Sequence, residues 1–283
     1  MAINWFPGHM AKTRREIKEN LKLVDAVIEI RDARIARSSS NPEVDDLCGQ
    51  KPRIILLNKC DLAEGKVTDR WIKHLTSSNV KALAVNSISG EGLKNIKPMI
   101  NELLAEKHQR LKLKGIQNIT DRVMVIGIPN VGKSSFINKL AKNAIAKTGD
   151  RPGVTRSRQW IKTKLGIELM DTPGILWPKL ESEETQLNLA FTGAIKDEIM
   201  DIEELSVKLV TVLAEKYPEN LMNRYKLADL SEDPLENLNK IGVKRGAVIS
   251  GGNIDYNRVA VMLLDELRGG KLGKISFETP EKE

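Results

Sequence analysis

The sequence predicts an α/β domain on a largely parallel sheet, followed by a smaller all-helical domain. Three observations carry this reading. Apolar runs of strand length recur at 24–31, 54–57, 82–85 and 123–126, with helix-length patterns between the earlier ones. One run leads into the glycine-rich turn Gly127-Ile-Pro-Asn-Val-Gly-Lys133-Ser134, which in turn opens a helix-like segment. Beyond Pro178 the strand patterns stop and the charge reverses: residues 1–178 carry 31 Lys/Arg against 18 Asp/Glu, and residues 179–283 carry 14 against 20.

In chain order, residues 1–22 read as a basic arm, with Phe6-Pro7-Gly8-His9-Met10 followed by a helix-like stretch bearing Lys12, Arg14, Arg15, Lys18 and Lys22. The first strand runs from Val24 to Arg31, and Asp32-Ala-Arg34 with Ser38-Ser-Ser-Asn-Pro42 follows as loop. Ile54–Leu57 is the second strand, ending in Asn58-Lys59-Cys60-Asp61, and a helix over 67–78 is marked by Trp71, Ile72 and Leu75. Ala82–Val85 is the third strand, ending in Asn86-Ser87, and an amphipathic helix spans 93–104. Polar residues 106–121 read as a connector. Gln159–Thr163 and Ile167–Met170 form a hairpin whose second strand ends in Asp171-Thr-Pro-Gly174. The remaining helices are expected near 184–195, 202–216, 219–226, 234–241 and 254–268. The domains are then 1–22, 23–178 and 179–283. In an open α/β sheet ligands bind beyond the carboxyl ends of the strands, so the tips at 58, 86, 127 and 171 should share one crevice.

Composition narrows the class. Cys48 and Cys60 have neither metal-ligand spacing nor a disulfide framework, and no apolar run approaches a membrane span. A cytoplasmic protein with no membrane partner is expected. Aromatic residues at 4% do not suggest a base-stacking platform. The basic first two-thirds of the chain suits a polyanion.

Each tip has its own chemistry. In Gly127–Ser134 the glycines let backbone N–H groups close on phosphate oxygens at a helix N-terminus. Lys133 reaches the β/γ-phosphates and the Ser134 hydroxyl takes a place on Mg²⁺. Val131, Gly132 and Ser135 complete the cradle. Asn58-Lys59-Cys60-Asp61 fits N-K-x-D: Asp61 accepts from guanine N1–H and the 2-amino group, which adenine cannot offer. Asn58 braces the phosphate loop and the Lys59 stem covers the base plane. Asn86 and Ser87 lie where a second base loop should be. Asp171-Thr-Pro-Gly174 fits D-x-x-G, with Asp171 serving Mg²⁺ and the Gly174 amide sensing the γ-phosphate. Thr155, ahead of Thr148 by loop position, is the switch threonine on Mg²⁺.

The base-reading pair precedes the phosphate-reading trio, the reverse of ordinary GTPases. This order resembles the circularly permuted GTPases. Phe6-Pro7-Gly8-His9-Met10, Asp32-Ala33-Arg34 and Arg151-Pro-Gly-Val-Thr155 resemble the ribosome biogenesis GTPase A family in particular. The resemblance spans essentially the whole chain. It implies a P-loop GTPase fold with circularly permuted strand order and a helical C-terminal domain. It further implies Mg²⁺-dependent GTP hydrolysis serving a late step of large (50S) ribosomal subunit assembly, with rRNA and ribosomal proteins as partners; a monomer is expected. Asn130 resembles the residue that coordinates K⁺ in potassium-activated GTPases.

Ras-type enzymes place a water-orienting Gln after D-x-x-G, and here Ile175 stands there, so slow intrinsic hydrolysis is expected. His9 either completes the site, as the resemblance implies, or caps a helix or meets a partner. Lys133, Thr155 and Gly174 are the other catalytic candidates. Residues 142–164 hold seven Lys/Arg and one acid, a surface suited to rRNA; Lys240/Lys244/Arg245 and Arg268/Lys271/Lys274 are smaller patches. The rivals are an ATP-dependent P-loop enzyme, opposed by Asp61, and a GTP-binding switch or scaffold on another RNA or protein with negligible turnover.

Overall fold

The structure, a computed structural model, describes residues 8–142, 160–172 and 182–281; for residues 8–14 and 45 only the backbone is described. The arm enters through α1 (Gly8–Leu21), whose Ile17 and Leu21 are buried. The apolar runs form β1 (Ala26–Asp32), β2 (Arg53–Asn58), β3 (Val80–Val85) and β4 (Asp121–Ile126), and the hairpin forms β5 (Trp160–Lys162) and β6 (Ile167–Asp171). Their spatial order is β3-β2-β1-β4-β6-β5; neighbours are parallel except β5, which runs antiparallel to β6. The chain builds outward from β1 through β2 to β3, then returns to the other side of β1 for β4. The β1/β4 junction is thus a topological switch point, where an α/β sheet opens its crevice.

Both faces of the sheet are covered, which is why these strands read as continuous apolar runs. On one face Ile17, Leu21, Val44 and Cys48 pack over Val27, Met124, Ile126 and Met170. On the same face α3 (Gly65–Leu75) sets Val67 and Trp71 against Ile55, Leu57 and Ala82. Residues of the opposite parity, among them Ile28, Ile30, Ile54, Leu56, Val123 and Val125, are completely buried as well.

Two segments differ from the expectations above. The loop expected through Pro42 gives way there to α2 (Pro42–Cys48), for which no element was expected, with Pro42 as its first residue and Asn41 Oδ1 accepting from Glu43 N at 3.0 Å. That Asn-Pro start was a legible helix signal. The connector at 106–121 instead contains α5 (Ala105–Leu113), which follows α4 (Ile96–Leu103). It buries none of its residues, so no apolar period marks it. Its anchor is Asp121 at the amino end of β4, fully buried and bound by His108 Nε2 at 2.8 Å, Lys97 Nζ at 3.0 Å and Lys107 Nζ at 3.4 Å.

The chain forms two compact units, Met1–Glu181 with Ser276–Glu283, and Ser182–Ile275. The second unit holds α7 (Glu183–Phe191), α8 (Ile202–Lys216), α9 (Pro218–Tyr225), α10 (Pro234–Arg245) and α11 (Tyr256–Arg268). Ser182, Asp201, Asp233 and Asp255 cap four of them through side-chain oxygens, which accounts for part of the acidic balance. Leu205, Leu209 and Leu213 of α8 and Val259, Leu263 and Leu267 of α11 are buried on facing helices. Residues 276–283, read as the end of the helical domain, belong to the first unit instead. The two patches expected there are also smaller than their composition suggests. Lys240 is held by Asp229 and Glu236, Arg245 by Glu266 and Arg268 by Asp197, leaving Lys244, Lys271 and Lys274 exposed.

Candidate nucleotide-binding site

The carboxyl ends of β1, β2, β3, β4 and β6 bring the motifs together. The turn after β4 leads into α6 (Lys133–Leu140). Gly132 takes φ +95°, and Asn130 also lies in the left-handed region at φ +60°. A Cβ on Gly132 would meet Asn58 Nδ2 at 2.3 Å, so the sequence needs glycine there for both space and conformation. Asn58 is the hub. Its Nδ2 donates to Val131 O at 2.7 Å, while its Oδ1 accepts from Ser87 N at 3.0 Å and Ser87 Oγ at 2.8 Å. One buried amide therefore joins the phosphate loop to both base loops. A second tie runs from Lys139 of α6, whose Nζ donates to Ile88 O at 2.8 Å.

Lys133 donates from Nζ to Gly127 O and Ile128 O, each at 3.0 Å. Burial pulls this amine down to about 8, with the Asp171 charge opposing the fall. Asp171 is raised by burial, with Lys133 and the Thr172 backbone N–H opposing. Thr172 Oγ1 anchors the strand end to Val125 O at 2.7 Å. Ser134 is exposed in the first turn of α6. A hydroxyl at the head of the helix and a carboxylate at the tip of β6 are the hard oxygen donors Mg²⁺ takes, and a cation beside Asp171 would offset what burial costs its charged form. The donor set fits the metal. Thr155, Thr148, Gly174 and Ile175 lie outside the described residues. His9 belongs to the first turn of α1, and the structure describes only its backbone.

Lys59 adopts φ +59° and ψ +35°, uncommon for a side-chain-bearing residue, and heads the short 3-10 turn Cys60–Leu62 that carries Asp61. Asp61 is exposed at the crevice. Asn86 does not project freely: its Oδ1 accepts from Ile88 N at 2.8 Å and Ser89 N at 3.0 Å, which folds its loop. Ser87 is buried against Asn58. These two residues shape the second base loop through internal hydrogen bonds.

Asp32 and Arg34 carry a role the sequence reading did not give them. Arg34 grips Asp32 through Nε at 2.9 Å and Nη2 at 2.8 Å, both side chains almost wholly buried, and Lys59 Nζ lies 3.0 Å from Asp32 Oδ2. Burial alone would raise the Asp32 carboxyl; Arg34 and Lys59 together hold it well below the usual carboxylate range. Only their position just beyond a strand end hinted at this.

Known proteins give the family. Residues 122–240 match the family described as 50S ribosome-binding GTPase. Over 281 residues the chain is 50% identical to the ribosome biogenesis GTPase A of Bacillus pumilus, covering 99% of this chain and 100% of that protein. The chain belongs to the ribosome biogenesis GTPase A family. It is 34% identical to the bovine mitochondrial ribosome-associated GTPase 1, over 97% of this chain and 88% of that one. The crystal structure of GNP-bound YlqF from T. maritima superposes with a TM-score of 0.65 at 29% identity, covering 96% of this chain and 100% of that one. The site is that of a GTP hydrolase on a circularly permuted GTPase fold. The matched segment beginning at residue 122 starts with β4 and leaves out the base-reading strands, which this chain places first.

Proposed function

We propose that this chain hydrolyses GTP to drive a late step of large (50S) ribosomal subunit assembly, and that its slow intrinsic turnover is stimulated by the ribosomal partner. The observation that carries the nucleotide reading is Asn58, which locks the phosphate loop to the base loops and leaves Asp61 as the guanine acceptor. The partner is taken from the family, whose relatives are named for ribosome biogenesis and ribosome association.

Lys133 and the amides of Asn130 to Ser135 bind the phosphates; Asn58, Lys59, Asp61, Asn86 and Ser87 form the base site; Ser134, Thr155 and Asp171 would hold Mg²⁺, and Asn130 would hold K⁺. When bound, these cations neutralise charge on the transferred phosphoryl group. With Ile175 at the sequence position of the water-orienting Gln, another group must accept the proton of the attacking water, and His9 is assigned that role in the complex with the partner. Gly174 lies eight residues before the helical unit, so a γ-phosphate-dependent change there has a short covalent path to it.

The test is GTP turnover with and without 50S subunits, in K⁺ and in Na⁺ buffer, for the natural chain and His9→Ala. Turnover should be slow alone, rise with subunits and be faster in K⁺. His9→Ala should lower the stimulated rate by about a hundredfold, the low end of general acid–base catalysis. No response to subunits would overturn the proposed role, equal rates in the two salts would remove K⁺, and full stimulation of His9→Ala would remove His9.

A further inference from the structure

The residues after the helical unit return to the nucleotide domain and lie on the scaffold of the guanine loop. Ser276, Phe277, Glu278 and Pro280 are buried. Ser276 Oγ accepts from Glu64 N at 3.1 Å, three residues beyond Asp61. Phe277 N donates to Arg34 O at 2.9 Å, the carbonyl of the residue whose guanidinium grips Asp32. Glu278 does most. Its carboxylate accepts from Arg37 N at 2.8 Å, from Ser38 N at 3.1 Å and from Ser38 Oγ, and its carbonyl accepts from Trp71 Nε1 at 3.2 Å. Arg70 adds a bond to Pro280 O at 3.3 Å.

Two short chains of contacts lead from this strap to the base-reading side chains. One runs from Phe277 and Glu278 through the Arg34–Ser38 turn to Asp32 and then Lys59. The other runs from Ser276 to Glu64 at the head of α3, directly after the Asp61 turn. Glu278 offers a carboxylate to two backbone N–H groups in a buried turn, a geometry that fixes a backbone more firmly than apolar contact alone. Lys59 holds a left-handed conformation that needs such outside support.

We infer that Ser276–Pro280 is a positioning strap for guanine recognition, with Glu278 its principal positioning residue: it holds Asp32 and Lys59 on one side and Glu64 on the other, and so fixes the height of Asp61 against the base. The helical unit is thereby covalently joined to the nucleotide domain at both ends, following residue 174 in the chain and preceding the strap. This rests on Asp61 as the base reader.

Binding of GDP and of IDP, which lacks the 2-amino group, is measured by competition against a fluorescent guanine nucleotide for the full chain, Glu278→Ala, Glu278→Gln and Ser276→Ala, each with its Tm. The natural chain prefers GDP by about tenfold or more, because IDP leaves one charged acceptor without its donor. Glu278→Ala shrinks that preference by about fivefold, since sub-ångström displacement already weakens a directional hydrogen bond. Glu278→Gln, which still offers an acceptor to the Arg37 and Ser38 amides, recovers most of it. Equal losses for GDP and IDP, or an unchanged ratio, would overturn the strap. Were Glu278→Ala not to fold, Ser276→Ala reads the same ratio with one acceptor removed, and no change in that ratio would overturn the proposal as well. A natural chain without GDP preference would instead refute the reading of Asp61.

Discussion

At the scale of single residues, the site is governed by the contact between Gly132 and Asn58. The amide reaches the loop only because no Cβ stands in its way, and Gly132 adopts a left-handed φ that a side chain would strain. Gly132→Ala should therefore cost roughly 2–3 kcal/mol in stability, combining a disfavoured backbone with a clash against a buried side chain. The same substitution should cost about 1 kcal/mol less in an Asn58→Ala background, where the clash is gone and only the backbone strain remains. Urea melts of the four chains of this cycle supply the numbers; strict additivity would show that the two side chains do not oppose each other. Asn58, Gly132 and Lys133 were legible in the sequence because their spacing is set by the ligand. Asp32, Arg34 and Glu278 were not: Asp32 and Arg34 pair with each other in a buried turn behind Lys59, and Glu278 meets Arg37 and Ser38 across more than two hundred residues of chain.

At the scale of elements, legibility followed the source of stability. Buried strands and the amphipathic α8 and α11 announce themselves through apolar periodicity, and their expected bounds fall within a few residues of those found. Helix α5 could not, since what fastens it is charge: Lys107 and His108 from α5 and Lys97 from α4 converge on Asp121. Burial would raise the Asp121 carboxyl, but the hydrogen bonds from His108 and Lys97 and the charges behind them leave it lowered. The sign follows from linkage. A carboxyl whose folded pKa lies below its unfolded value contributes stability in full above about pH 4 and loses it as the pH falls through the folded value. Asp121→Asn should destabilise the chain by about 1–3 kcal/mol at neutral pH and flatten the loss of stability below about pH 4. Denaturation at pH 7, 4 and 3 checks this, and parallel profiles for the two chains would show that Asp121 carries no such linkage.

At the scale of the whole molecule, the chain carries a surplus of positive charge in residues 1–178 and a deficit in residues 179–283. Internal pairing leaves these balances unchanged but occupies Lys240, Arg245 and Arg268 in the helical unit, so fewer of its cations are left for a polyanion. Among the described residues no ion pair holds Lys142, Lys162 or Lys164, and these lysines flank in sequence the segment holding Arg151, Arg156 and Arg158. A polyanion should thus meet the nucleotide domain through residues 142–164, the stretch of sequence that includes the proposed switch threonine Thr155, so that partner contact and phosphate sensing would share one stretch of chain. Replacing Arg156 and Arg158 with Ala should weaken binding to 50S subunits in the GTP state, and the slope of log affinity against log salt should fall by about two if each arginine neutralises one phosphate. Replacing Lys244 and Lys271 should change that slope less. Salt titrations of subunit binding for the two double variants decide between the domains: a slope altered only by the second pair would move the main RNA contact to the helical unit.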